Sequence, residues 1–229
     1  MLTRVNEDKT SPGVGNLDTL LTLLETVRPH VAGHCRRVAT YSVRLAMQYG
    51  LPPKLIETIR VGALLHDVGK MLIRSRLLSK PGRLSDREWT QLQDHPVLGV
   101  GLIERLGFDD TVAEIVRSHH ERADGYGYPD GLESGAISWP VRIVSVMDAF
   151  DAITSPRAYR QSLSVEGARS LIAREAGTRY CPWVVSGLLS LPPRLLEPSK
   201  IDLVPPYVPD GCPNRAASWA TEPWSAHAS

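Results

Sequence analysis

Between Leu17 and Glu175 apolar residues recur at three- and four-residue spacing, the period of helices that bury one face. LDTLLTLLETV opens the series, and Pro29 interrupts it. HVAGHCRRVATYSVRLAMQYG predicts a second helix that stops at Gly50. Pro52 and Pro53 open a third, running through KLIETIRVGALLHDVG. In LSDREWTQLQDHP, Ser85 and Glu88 make a capping-box pattern ahead of a helix that ends by Pro96. VLGVGLIERLG, TVAEIVRSHH, VRIVSVMDAFDAIT and SVEGARSLIARE continue the helical pattern. Residues 121–140 break it with six glycines and prolines and read as a long loop. There is no alternating strand pattern of any length and no internal repeat, so the fold class is all-α, in one domain.

The two ends have a different texture. Residues 1–16 are polar and punctuated by Gly and Pro, which predicts a flexible lead too short to be a receiver domain. The helical domain covers 17–190. The tail, 191–229, holds eight of the chain's 18 prolines and no sustained periodicity, and reads as a disordered or extended arm. Trp219 and Trp224 within it either dock onto a partner or back onto the domain, or are incidental.

Composition narrows the choices without making them. A net charge of +1 over 229 residues excludes a general polyanion-binding surface and hence DNA, so phosphate recognition has to rest on a few placed basic residues. No apolar run is long enough to span a membrane and the N-terminus lacks a signal-peptide core, giving the expectation of a cytoplasmic protein without membrane contact. Cys35, Cys181 and Cys212 have no CxxC spacing and read as reduced cysteines.

ALLHDVGK, residues 63–70, poses the chemical question. It continues an apolar run that should face a core, yet places His66 beside Asp67. An unpaired buried carboxylate costs several kcal/mol. Six of the seven histidines, His30, His34, His66, His95, His119 and His120, fall between positions 30 and 120, and all but His30 lie at or near the end of an apolar run. Asp148 is a second carboxylate inside an apolar helix. Imidazole and carboxylate together suit Fe, Mn, Zn or a similar divalent ion, and ligands from several helices are how bundles build two-metal sites. A cation is what makes the His66–Asp67 pair tolerable.

HCRRVA, ALLHDVGK, DHPVLG, HHERADGYGYPDGL and DAFDAITSPRAYR, in that order, resemble the HD-GYP family, the branch of the HD-domain metal phosphohydrolases that cleaves cyclic di-GMP. The resemblance covers roughly residues 30–175 and implies a compact helical bundle with metals at its centre. By position it implies His34, His66, Asp67, His95, His119, His120 and Asp148 as ligands of two divalent ions, Fe or Mn ahead of Zn, Ni or Co, with Asp67 bridging. Asp67 and Lys70 are its catalytic pair, Lys70 lying four residues after His66 on the same helix face and reaching a substrate phosphate. Arg157 and Arg160 hold the phosphodiester, Tyr128 of the GYP triplet contacts the substrate and Asp151 touches a guanine edge. Without the resemblance, the arginines read as a solvated pair at a helix end and Lys70 as a helix C-terminal charge. The implied substrate is cyclic di-GMP, opened to pGpG and then cut to GMP. A signalling protein partner and a homodimer remain open.

The sequence departs from the family pattern at three places near the site. Some members carry a Glu four residues before the first histidine ligand, where it helps to hold a third metal. That position is His30 here, which leaves ligation, support of a ligand and a solvent-facing side chain open, and sets the expectation at two metals. Met147 replaces a common Ala and could narrow the site, and Tyr126 adds a ring inside DGYGYP that could stack on a base. Two rivals accompany the cyclic di-GMP phosphodiesterase: a phosphohydrolase of another nucleotide, and a catalytically silent module that binds a nucleotide or a partner. Filled ligand positions argue against the silent module.

Overall fold

A computed structural model describes residues 14–156 and 161–197. The readings for residues 1–13, Arg157, Arg160, Cys212, Trp219 and Trp224 lie outside the described residues. The order is α1 (Val14–Val27), α2 (Pro29–Gln48), α3 (Pro53–Leu65), a 3-10 turn (Val68–Met71), α4 (Ser75–Leu78), α5 (Asp86–Gln93), α6 (His95–Arg105), α7 (Asp110–Ser118), α8 (Trp139–Thr154), α9 (Val165–Arg174) and α10 (Pro182–Ser190). Short 3-10 turns, Ser134–Ala136 and Pro193–Leu195, lie in the connections. Among the described residues there is no strand, only the isolated bridges Asp124–Glu133 and Ala176–Tyr180.

Helix α2 is the axis of the bundle, packed on α1, α3 and α8, while α7 joins α3 to α6. Its inner face contributes Val38, Tyr41 and Leu45 to the main core, where Ile56, Ile59, Ile143, Phe150, Val184 and Leu188 meet them. Tyr41 and Phe150 stand edge to face at 5.3 Å between α2 and α8, an arrangement worth about 0.5–1.5 kcal/mol beyond the area it buries. A second cluster, built on Leu17, Leu65, Val68, Ile103 and Val116, packs α1, α6 and α7 around the end of α3. Helix starts follow their local chemistry. Ser85 and Glu88 complete the capping box, and Asp109 and Ser164 accept from the first-turn N–H groups of α7 and α9.

The structure corrects three boundaries. Helix α1 begins at Val14, ahead of the expected start, and Asn16 Nδ2 ties it to the Leu106 carbonyl at 2.9 Å. Helix α3 ends at Leu65, so His66, Asp67 and Lys70 do not continue one helix face. The chain turns there because Gly69 packs backbone to backbone on α6: a Cβ on it would stand 1.9 Å from the His95 carbonyl oxygen. Arg28 fixes the far side of the turn, donating to the Ile73 carbonyl at 2.8 Å and to Ser75 Oγ at 2.8 Å. Third, the domain does not stop at 190. Leu191 and Leu196 are buried in the main core, and the Tyr41 hydroxyl donates to the Leu196 carbonyl. Arg169 and Arg44 donate to the carbonyls of Leu191 and Leu195. Helix α10 fills a stretch to which the periodicity assigned no element.

Candidate metal centre

Five elements meet at one place. His34 comes from α2, His66 and Asp67 from the turn after α3, His95 from the first residue of α6, His119 and His120 from the end of α7, and Asp148 from α8. Their donor atoms form two sets, each within 4.8 Å: Asp67, His95, His119 and His120 in one, and His34, His66 and Asp148 in the other. Asp67 stands between them. Its Oδ1 lies 3.2 Å from His95 Nε2 and 3.8 Å from His119 Nε2, while its Oδ2 lies 3.5 Å from His66 Nε2 and 3.8 Å from His34 Nε2.

The backbone sets the tautomers. Nδ1 of His66, His95 and His119 donates to the carbonyl three residues back, Ala63 at 2.7 Å, Leu92 at 2.7 Å and Val116 at 3.0 Å. A carbonyl can only accept, so in the neutral ring each Nε2 keeps a lone pair aimed at the centre. His34 is held differently. Its Nδ1 donates to Asp151 Oδ2 at 2.7 Å, and Arg37 clamps that carboxylate through Nε at 2.7 Å and Nη2 at 3.0 Å. A carboxylate behind an imidazole is the usual support of a metal-binding histidine.

These groups fit divalent cations better than they fit one another. His66 Nε2 and Asp67 Oδ1 are fully buried and have no hydrogen-bond partner, an arrangement that costs about 1–3 kcal/mol for each atom. A cation between the two donor sets removes that cost.

Charge in the centre is polarised. Burial opposes ionisation of Asp67, yet Lys70 and His66 hold it well below the usual carboxylate range. Lys70 Nζ donates to Asp67 Oδ2 at 2.6 Å. Burial and the neighbouring imidazoles keep His119 neutral, and burial pushes His120 down to about 3. Burial also works against a charge on His34, but hydrogen bonds to Asp148 and Asp151 outweigh it and raise the pKa to about 9.

The centre opens on one side. His66, Asp67, His95 and His119 have side chains at most 2% exposed, whereas those of His34, Asp148, Lys70 and His120 are 14–24% exposed and form the rim. Tyr128 lies over the rim, its ring 4.8 Å from that of His120 and tilted by 33°.

The HD-domain family model matches residues 18–184. The chain belongs to the HD-domain family. Within that family it carries the HD-GYP signature, with the GYP triplet beside the HD-bearing centre. It is 33% identical over 160 residues to a 3'3'-cGAMP-specific phosphodiesterase of Vibrio cholerae, covering 70% of this chain and 35% of that protein. It is 38% identical over 160 residues to a cyclic di-GMP phosphodiesterase of Thermotoga maritima, covering 69% of this chain and 44% of that protein. Among solved structures, an HDG"Y"P protein from Bdellovibrio bacteriovorus shares the fold with a TM-score of 0.59 at 23% identity, over 76% of this chain and 57% of that one. The chain thus spans a third to under a half of the length of these curated relatives.

Every residue expected as a ligand in this HD-domain protein reaches the centre. Asp151, expected at a guanine edge, is fully buried with both oxygens engaged by His34 and Arg37, which places it behind the His34 ring. His30 is exposed and belongs to neither donor set. Met147 points into the main core and does not narrow the centre, while Tyr126 is 83% exposed.

Glu121 escaped the sequence reading. It follows the His119–His120 pair, is 3% exposed, and accepts from the backbone N–H groups of Asp130 at 2.7 Å, Gly131 at 3.2 Å and Leu132 at 2.9 Å. This folds the GYP loop back on its own start, where a Cβ on Gly127 would meet the Arg122 nitrogen at 2.4 Å. The Tyr128 N–H then donates to the His120 carbonyl at 3.3 Å. The signal in the sequence was an acid placed just before an irregular Gly- and Pro-punctuated loop, whose backbone N–H groups need an acceptor.

Proposed function

We propose that the chain is a metal-dependent phosphodiesterase that hydrolyses cyclic di-GMP to linear pGpG and then to GMP. The observation that carries the reading is Asp67, whose two oxygens face two separate donor sets at a centre open on one side. His34, His66 and Asp148 would hold one divalent ion and His95, His119 and His120 the other, with Asp67 available to both and Fe or Mn the ions best suited to this donor chemistry. Such a pair, when bound, supplies a Lewis acid for the phosphoryl oxygens and a hydroxide nucleophile near neutral pH.

The protein's own groups do the rest. Lys70 keeps Asp67 anionic and, standing on the rim, meets the phosphate as charge develops on it. Tyr128 covers His120 and shapes the entrance for the ribose–phosphate ring. Asp151 and Arg37 keep the His34 imidazole aimed inward through the reaction. Arg157 and Arg160 complete the phosphate grip in this reading. Attack in line with the ribose 3' oxygen opens the ring, and a second round at the remaining phosphodiester gives GMP.

A second cyclic dinucleotide, 3'3'-cGAMP, is favoured by one observation, the similarity to a relative named for that specificity. The test is turnover by full-length chain purified without oxygen and loaded with Fe(II) or Mn(II), offered cyclic di-GMP and 3'3'-cGAMP in parallel. Products are resolved by chromatography, and Asp67→Ala serves as control. Formation of pGpG, lost in the variant, supports the reading. Hydrolysis of 3'3'-cGAMP alone moves the substrate, and two bound metals without any turnover replaces the enzyme by a binding module.

A further inference from the structure

The residue after His34 is Cys35. The two side chains leave α2 about 100° apart, so His34 faces Asp148 and Asp151 while Cys35 turns toward the end of α3. Its thiol is fully buried, with Leu24 and Ala32 on one side. On the other side its sulfur lies within 4.8 Å of donor atoms of both His66 and Asp67, forming a third set that contains a soft donor. Cys35 has no disulfide partner. A buried cysteine in an apolar wall is ordinary packing. What distinguishes this one is the company it keeps, because His66 Nε2 and Asp67 Oδ1 are fully buried and unpartnered. A cation that satisfies His66 Nε2 and shares the Asp67 carboxylate from the α3 side comes within reach of the sulfur.

We infer that Cys35 is a sulfur donor to the metal centre, joining His66 and Asp67 and biasing the site toward ions that accept thiolate, Fe(II), Co(II) and Zn(II), over Mn(II). The inference rests on the two-metal reading above and adds to it a ligand and a metal preference. Oxygen and nitrogen donors already rank Mn(II) below Fe(II), and a soft sulfur donor widens that gap. The thiol proton leaves to solvent as the metal–sulfur bond forms, and no oxidant or reductant takes part.

The test uses the full chain reconstituted with Co(II) and a metal count per chain. The expected result is a sulfur-to-cobalt charge-transfer band in the near ultraviolet, present in wild type and in Cys181→Ser and lost in Cys35→Ser. X-ray absorption on Zn(II)-loaded wild type, which needs no variant to fold, should show a sulfur at about 2.3 Å in the first coordination shell. In competition, Cys35→Ser should lower the preference for Zn(II) over Mn(II) by tenfold or more. Two cobalt ions bound without the band, or a band that survives in Cys35→Ser, overturns the sulfur ligand and leaves the two-metal centre standing. A chain that binds no cobalt overturns both.

Discussion

The Nε2 atoms of His95 and His119 face each other at 3.3 Å, and each ring has already given its Nδ1 proton to a backbone carbonyl. Two lone pairs at that distance repel unless a cation lies between them. Metal removal should therefore destabilise the fold as well as silence the site. At a hundredfold excess of Mn(II) over its Kd each ion stabilises the fold by about 2.7 kcal/mol, readable as a rise in Tm over chelator-treated protein. His95→Ala should remove the share of the ion held by its donor set. An equal Tm with and without metal would count against the centre.

The imidazole of His34 gives the metal-free protein a pH signature. Its pKa is raised to about 9 in the fold, against roughly 6.5 in an unfolded chain. A raised pKa contributes stability that is complete below about 6.5 and lost as pH climbs through 9. Chelator-treated protein should thus lose Tm across that window. Metal binding has the opposite sign, since the ion replaces the His34 proton and binds more tightly as pH rises. Thermal melts at several pH values with and without Mn(II) read both trends. A metal-free Tm that stays level from 6.5 to 9 would show that His34 is not held charged.

Asp151→Asn separates two roles for one carboxylate. If Asp151 orients His34, the variant should weaken Mn(II) binding by about 10–100-fold, measured by titration calorimetry. Unchanged metal affinity with a raised KM would return it to the substrate contact that the sequence suggested.

Glu121→Gln keeps the shape of the side chain but replaces one acceptor oxygen with an NH2 group facing loop N–H groups. Stability should fall by about 1–3 kcal/mol. Because Tyr128 sits on the loop that Glu121 folds, KM for the cyclic dinucleotide should rise while the metal count holds at its wild-type value. Wild-type kinetics in this variant would mean that the loop does not depend on the carboxylate.

Gly69→Ala places a methyl group 1.9 Å from the His95 carbonyl oxygen. Backbone cannot yield there cheaply, so destabilisation at or above about 3 kcal/mol is expected, with loss of metal through displacement of His95. Chemical denaturation together with a metal count checks both parts.

The donor set was legible in the sequence because His66, Asp67 and Asp148 sit in apolar runs, where a carboxylate is costly to bury without a cation beside it. Helices α2, α6, α7 and α8 were legible for a related reason, since each buries a continuous face and starts or stops at Pro, Gly or a capping side chain. What stayed hidden depended on contacts between distant segments. Periodicity carried α3 through to Gly69, and only the approach of α6 shows why it must end at Leu65. Asp151 looked like a substrate group because nothing local reveals that Arg37, one turn beyond His34 on another helix, meets it. Short, evenly apolar α10 has no polar face to mark its period, and the core contacts of Leu191 and Leu196 lie in a stretch whose prolines suggested a loose arm.

The uneven exposure of the centre has a kinetic corollary. With His66, Asp67, His95 and His119 sealed in the core, the opening among the described residues lies between His34, Asp148, Lys70 and His120. If the proposed function holds, a dinucleotide lodged in that opening would act as a stopper. Chelators should strip the resting protein far faster than the occupied one, and a slowly cleaved analogue should trap whichever ions were loaded before it.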